Sequence, residues 1–151
     1  MAQGVAVSIA RRTFHLFLSL CYDVVTLDRI RWGEIMMDMI KEVRRIPGIE
    51  IRPNSKEPEY FEAVINKGDL ELLLSLLRKH LGPAAKEPGK EANLPIEIQR
   101  EVNAWGGLRI EQSFFYRKEG KQVIFAALWP WVSNPNKVTL KSGIWKLNPA
   151  N

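Results

Sequence analysis

Arg109, Phe115 and Arg117 stand at odd positions of one stretch, and Lys118 and Lys121 flank the Glu119-Gly120 step that follows. On a β-strand, residues of like parity share a face, so two guanidinium groups and a phenyl ring would lie along one surface. Cations and rings on a sheet can hold phosphates and stack unpaired bases. Single-stranded nucleic acid is therefore one candidate partner, although no nucleic-acid-binding motif accompanies these residues. The bland reading is that lysines on exposed strands prevent edge-to-edge association.

A second group is aromatic. Trp129-Pro130-Trp131, with Trp105 and Trp145, could line a concave apolar pocket for a small molecule. Pro130 has no amide hydrogen to donate, so it belongs at a strand end, an edge or a bulge. The loop Gly82-Pro83-Ala84-Ala85-Lys86-Glu87-Pro88-Gly89-Lys90 could add Lys86, Lys90 and free amides to that pocket as an anion cradle. Tryptophan is more often simply core, and Gly, Pro and Lys also make ordinary exposed loops.

Other chemistries have less support. Glu34, Asp38 and Glu42 share a helical face and could join Glu59 and Glu62 around a cation. The same face carries Lys41 and Arg45, the pattern of a solvated helix. Cys21 and His15 are separated by a spacing that points them to different sides of a helix. His80 falls at the end of a leucine-rich segment, where it would complement the helix dipole. No zinc-like cluster, nucleophile elbow, phosphate loop or dinucleotide fingerprint occurs. No cofactor is implied, and the sequence leans away from catalysis.

The elements that would position these residues can be read from periodicity. Ser8 to Val25 is apolar almost all round and reads as a buried helix. Its apolar core from Thr13 to Tyr22, broken by His15 and closed by Asp23, is too short to span a bilayer. Thr26 or Asp28 would cap a second helix ending near Ile46, with Ile35, Met36, Met39, Ile40 and Val43 inward. A short strand over Gly48–Arg52 and a short helix from Pro58 to Asn66 follow. Asp69 would cap a helix over Leu70–Leu81 that stops at Gly82-Pro83. Beyond the loop, Asn93 would cap a helix bearing Ile98, Val102 and Trp105, the alternative being a strand over Leu94–Gln99.

The last third reads as a three-stranded meander from Leu108 to Leu147, turning at Glu119-Gly120 and at Asn134-Pro135-Asn136. With Glu119-Gly120 as a two-residue loop, Lys118 pairs with Lys121, Tyr116 with Val123, Phe114 with Phe125, Ile110 with Trp129 and Leu108 with Trp131. The second strand is then apolar on both faces and central. The fold class is α+β, with N-terminal helices packed on one face of a mainly antiparallel sheet, the tryptophan-bearing face being the one expected to take them.

The 151 residues suit a single domain, with a helical part over about 1–81, a loop over 82–95 and a sheet part over 96–147. One cysteine allows no disulfide within the chain and suits a reducing cytoplasm. The net charge of +5 lies in the last third, because residues 1–107 balance 15 basic against 15 acidic groups. Such asymmetry suits an acidic partner. Phe115, Ile124 and Leu128 on the outer sheet face need cover, which a second copy would supply. The leading expectation is thus a non-catalytic, self-associating cytoplasmic binding module with no membrane partner. Its rivals are a nucleic-acid binder and a small-molecule protein with a tryptophan pocket.

Overall fold

The computed structural model describes residues 31–148. Contacts divide the chain into residues 1–32 and 33–151, and the fold given below is that of the second unit. The helix expected over Ser8 to Val25, with His15 and Cys21, and the cap at Thr26 or Asp28 lie outside the described residues.

The elements are α1 (within this unit, 33–43), β1 (Glu50–Ile51), β2 (Tyr60–Asn66), a 3-10 turn (Lys67–Asp69), α2 (Leu70–Leu81), α3 (Ile96–Ala104), β3 (Ser113–Glu119), β4 (Gln122–Pro130) and β5 (Lys137–Lys146). The five strands form one antiparallel sheet in the order β1-β2-β5-β4-β3. The class is α+β, and β3, β4 and β5 form the expected meander. β4 is buried continuously from Val123 to Leu128, as a strand covered on both faces must be. It ends at Pro130, where the missing amide costs nothing. α2 has the expected bounds because its leucines repeat at helical spacing, and Leu73, Leu77 and Leu81 are buried. Asp69 makes no side-chain capping bond there; the 3-10 turn leads the chain in instead. α3 settles the ambiguity at Leu94–Gln99 in favour of a helix, starting after Pro95.

Three expectations are corrected. The β3–β4 hairpin pairs Glu119 with Gln122, Tyr116 with Phe125 and Phe114 with Ala127, so its loop is Gly120-Lys121. Gly120 has φ +58°, and among the described residues no non-glycine residue has positive φ. That is the II′ arrangement, with glycine at the first loop position. Shifting the pairing by two residues leaves each side chain on its expected face, so the apolar pattern raises no objection. β3 also starts at Ser113, so Leu108 and Ile110 do not pair with Trp131 and Trp129, and Ile110 is 53% exposed.

The second correction concerns Pro58 to Asn66, which forms no helix. Tyr60-Phe61-Glu62-Ala63-Val64-Ile65 is rich in the aromatic and β-branched residues that suit a pleated surface, and it pairs along its length with β5, from Tyr60↔Gly143 to Asn66↔Lys137. One strand, β2, therefore comes from a stretch assigned to a helix, while β1 falls within the short strand expected over Gly48–Arg52.

The register sorts side chains between the two faces. Phe61, Phe115, Ile124, Ala126, Leu128, Leu140 and Ser142 share one. α1 lies against it, with Met36 Sδ 3.6 Å from Ser142 Oγ and the Arg44 guanidinium 5.7 Å from the Phe61 ring centre. α2 packs on β3 and β4. α1 and α2 thus occupy one face, but it is the one opposite the tryptophans. Burying Phe115, Ile124 and Leu128 there contributes about 1.5–3 kcal/mol for each side chain, and the cover comes from this chain rather than a second copy. The other face carries Phe114, Tyr116, Val123, Phe125, Ala127, Trp129 and Trp145. α3 lays Ile98 and Val102 onto its β3–β4 side.

Candidate functional site

Over β2 and β5, beyond the ground covered by α3, the tryptophan face forms a pocket of about 410 Å³. Its lining is Glu59, Tyr60, Trp105, Phe125, Trp129, Lys141, Ile144 and Trp145. The size falls within the roughly 300–1,000 Å³ typical of small-molecule sites.

The rings reach the pocket from separate elements. Trp105 sits at the C-terminal end of α3. Gly106 and Gly107, at φ +99° and +79°, stop the helix there and turn the chain back. The Trp105 ring stands 4.6 Å from Phe125 and 4.5 Å from Trp145, edge-on to the latter. Phe125 and Trp145 stack at 4.2 Å, as neighbouring strands allow. Between Tyr60 and Phe125 in the register is Gly143. A Cβ there would come within 2.7 Å of the Glu59 carbonyl and 3.0 Å of the Phe125 ring. The missing side chain lets the β2 backbone and that ring close over β5.

Polar groups gather at the β2 side. Tyr60 Oη donates to Glu62 Oε2 at 2.6 Å, and Asn54 Nδ2 donates to the same oxygen at 3.0 Å. Partial burial raises the Glu62 pKa, but those two hydrogen bonds and the charges of Lys141 and Arg52 outweigh it, leaving the carboxyl below its ordinary range. Burial, then the hydrogen bond to the Glu62 carboxylate and its charge, push the Tyr60 hydroxyl well above the usual phenol range. Tyr60 is therefore a poor base at neutral pH. Lys141 is half-buried, with its ammonium 4.9 Å from the Trp129 ring centre, a geometry worth about 0.5–1 kcal/mol at a part-exposed site.

The pocket expected from Trp105, Trp129, Trp131, Lys86 and Lys90 is assembled only in part. Trp105 and Trp129 line it, as does Trp145. Trp131 lies outside the lining, donating Nε1–H to Thr139 Oγ1 at 2.7 Å beneath the Arg52 guanidinium at 5.8 Å. Lys86 is 3% exposed, and its ammonium donates to the carbonyls of Gln112, Ile110 and Glu87 at 2.7, 2.9 and 3.1 Å. Lys90 pairs with Glu87 at 2.5 Å. The loop amides of Ala85 and Lys86 bond to Phe114, and that of Gly89 to Ile110. This loop is therefore an extra lace along the β3 edge rather than an anion cradle.

The basic sheet surface is likewise dispersed. Phe115 is 1% exposed, leaving no ring for a base to stack on. Arg117 lies on its face, whereas Lys118 points to the other. Arg109 pairs with Glu111, Arg117 with Glu119 and Lys118 with Glu97, and Lys121 is exposed in the hairpin loop. Glu42 is held by Lys79 at 2.7 Å and His80 at 3.0 Å, which ties α1 to α2. Among the described residues no group of histidine, cysteine, aspartate and glutamate is placed to hold a metal ion, and no helix is long and apolar enough to cross a membrane.

Sequence reasoning missed Tyr60, Glu59, Phe125 and Lys141. Phe125 and Lys141 were legible as strand residues, but only the β2–β5 pairing brings β2 to them. Comparison with known protein families, with curated proteins and with solved structures finds no match for this chain.

Proposed function

We propose that this protein is a non-catalytic binding module for a small ring-bearing molecule, held in the pocket of Trp105, Trp129 and Trp145. One observation carries the reading. Three part-exposed indoles, from the end of α3 and from β4 and β5, converge over the buried Phe125 ring around one concavity of ligand size. Flat aromatic walls gain from stacking a planar ligand, while the polar β2 side can orient it.

A cytoplasmic setting belongs to the same proposal, supported by the single cysteine. Self-association loses its main argument, since α1 and α2 cover the apolar sheet face that called for a partner. The dispersed and largely ion-paired basic residues lend little support to nucleic-acid binding.

The test is a nitrogen-15 NMR titration of the tryptophan indole signals with 1-naphthaleneacetamide, a neutral ring probe. The expected result is saturable movement of Trp105, Trp129 and Trp145 with Trp131 little changed, and loss of most of it in Trp105→Ala. Uniform drift of all signals, or none at any probe concentration, would overturn the reading.

A further inference from the structure

We infer that the pocket takes a ring-bearing monoanion, whose charged group is received by Lys141 while its ring lies among the indoles. The inference rests on the pocket being the binding site.

Lys141 is the cation of the lining, and its surroundings differ from those of most sheet cations. Arg109, Arg117, Lys118 and Lys137 each have a carboxylate within ion-pair distance. Lys141 has none among the described residues. Its register partner on β2 is Glu62, whose carboxylate is engaged by Tyr60 and Asn54 and does not close on the ammonium. Lys141 instead rests over Trp129. A half-buried cation positioned by a ring face, and lacking a hydrogen-bonded counterion, gains most from an anion that arrives with a ligand.

The same surroundings argue for a single charge. Glu59 lines the pocket, and Glu62 is held in its ionised form beside it. An extended polyanion such as a nucleic-acid strand would set its phosphates against those carboxylates, whereas one carboxylate at Lys141 need not approach them closely. Like-charge contacts of this kind discriminate between partners more than they change affinity for the favoured one.

The experiment compares three probes of one ring system by the same indole NMR titration: 1-naphthaleneacetate, its neutral amide 1-naphthaleneacetamide, and the cation 1-naphthylmethylamine. One charge-assisted contact at a part-exposed site predicts roughly tenfold tighter binding of the acetate than of the amide. That preference should vanish in Lys141→Met and persist in Lys141→Arg. Equal affinity for acid and amide, or tighter binding of the amine, would overturn the charge assignment while leaving the pocket in place. A preference that survives Lys141→Met would overturn the role of Lys141. Binding of no probe would overturn the pocket and this inference together. Displacement of the acetate by oligothymidylate at physiological salt would show that the site takes a polyanion, against the single-charge assignment.

Discussion

Gly143 lies directly beneath the Glu59 carbonyl, so close that a Cβ on it would stand 2.7 Å from that oxygen. The Ile144 amide donates to the same carbonyl at 3.1 Å, so the approach is built into the β2–β5 seam. The neighbour on the other side is Phe125, which stacks on Trp145. One missing methyl group thus sets both the closeness of the seam and the position of a pocket wall.

Gly143→Ala should therefore lower stability by about 1–3 kcal/mol, the usual cost of overpacking, and weaken binding of naphthalene probes. Gly68→Ala is the control, since a Cβ there meets nothing within 4 Å. Urea unfolding of both variants measures the difference. A Gly143→Ala midpoint equal to that of the parent protein would show that the seam relaxes freely.

Lys86→Met should destabilise by about 2–4 kcal/mol, because it removes a charged donor from three carbonyls at a buried position. Its ammonium pKa is lowered chiefly by burial, offset in part by the charge of Glu111, yet its three acceptors keep the loop laced to β3. Amide hydrogen exchange at Phe114 should quicken along with the stability loss. Unchanged protection there would mean that the loop holds without the lysine.

Tyr60→Phe tests the pH behaviour of the polar side. The Glu62 pKa is depressed in the folded protein from an ordinary value of 4.5. Its contribution is therefore fully present above that value and is lost as pH falls through the folded pKa. The Tyr60 pKa is raised above 10.0, so its contribution is present below pH 10.0 and is lost as pH rises through the folded pKa. Removing the hydroxyl should cost about 1 kcal/mol at neutral pH. It should also flatten the stability profile at both ends, read as urea midpoints from pH 3 to 11. Parallel profiles for the two proteins would refute the pairing.

Gly120→Ala should cost about 1 kcal/mol, because φ +58° is a region that alanine enters only with strain. Cross-strand nuclear Overhauser contacts between Tyr116 and Phe125 should persist, since the rest of the register is held by packing. Loss of those contacts would show that the turn alone sets the pairing.

The sequence by itself determined whatever depends on short-range periodicity. α2 runs over Leu70–Leu81 because leucine at helical spacing and a following glycine are local signals. The inward and outward sets of β3 and β4 follow from strict alternation, and Pro130 marks the end of β4 through its own missing donor. Even the pocket was partly legible, since Trp105, Trp129 and Trp145 are the chain's most conspicuous flat surfaces. Tertiary structure decided what alternation cannot see. A two-residue slip of the hairpin preserves both faces, so alternation cannot choose between the registers; the Gly120 turn and the packing of the finished sheet do so together. Residues 60–66 become a strand because β5, far along the chain, supplies their hydrogen-bond partners. The choice of sheet face for α1 and α2 depends on how all the elements pack together, and it leaves Lys141 beside Tyr60 and the indoles. No local pattern encodes that neighbourhood, because long-range strand pairing and helix packing together create it.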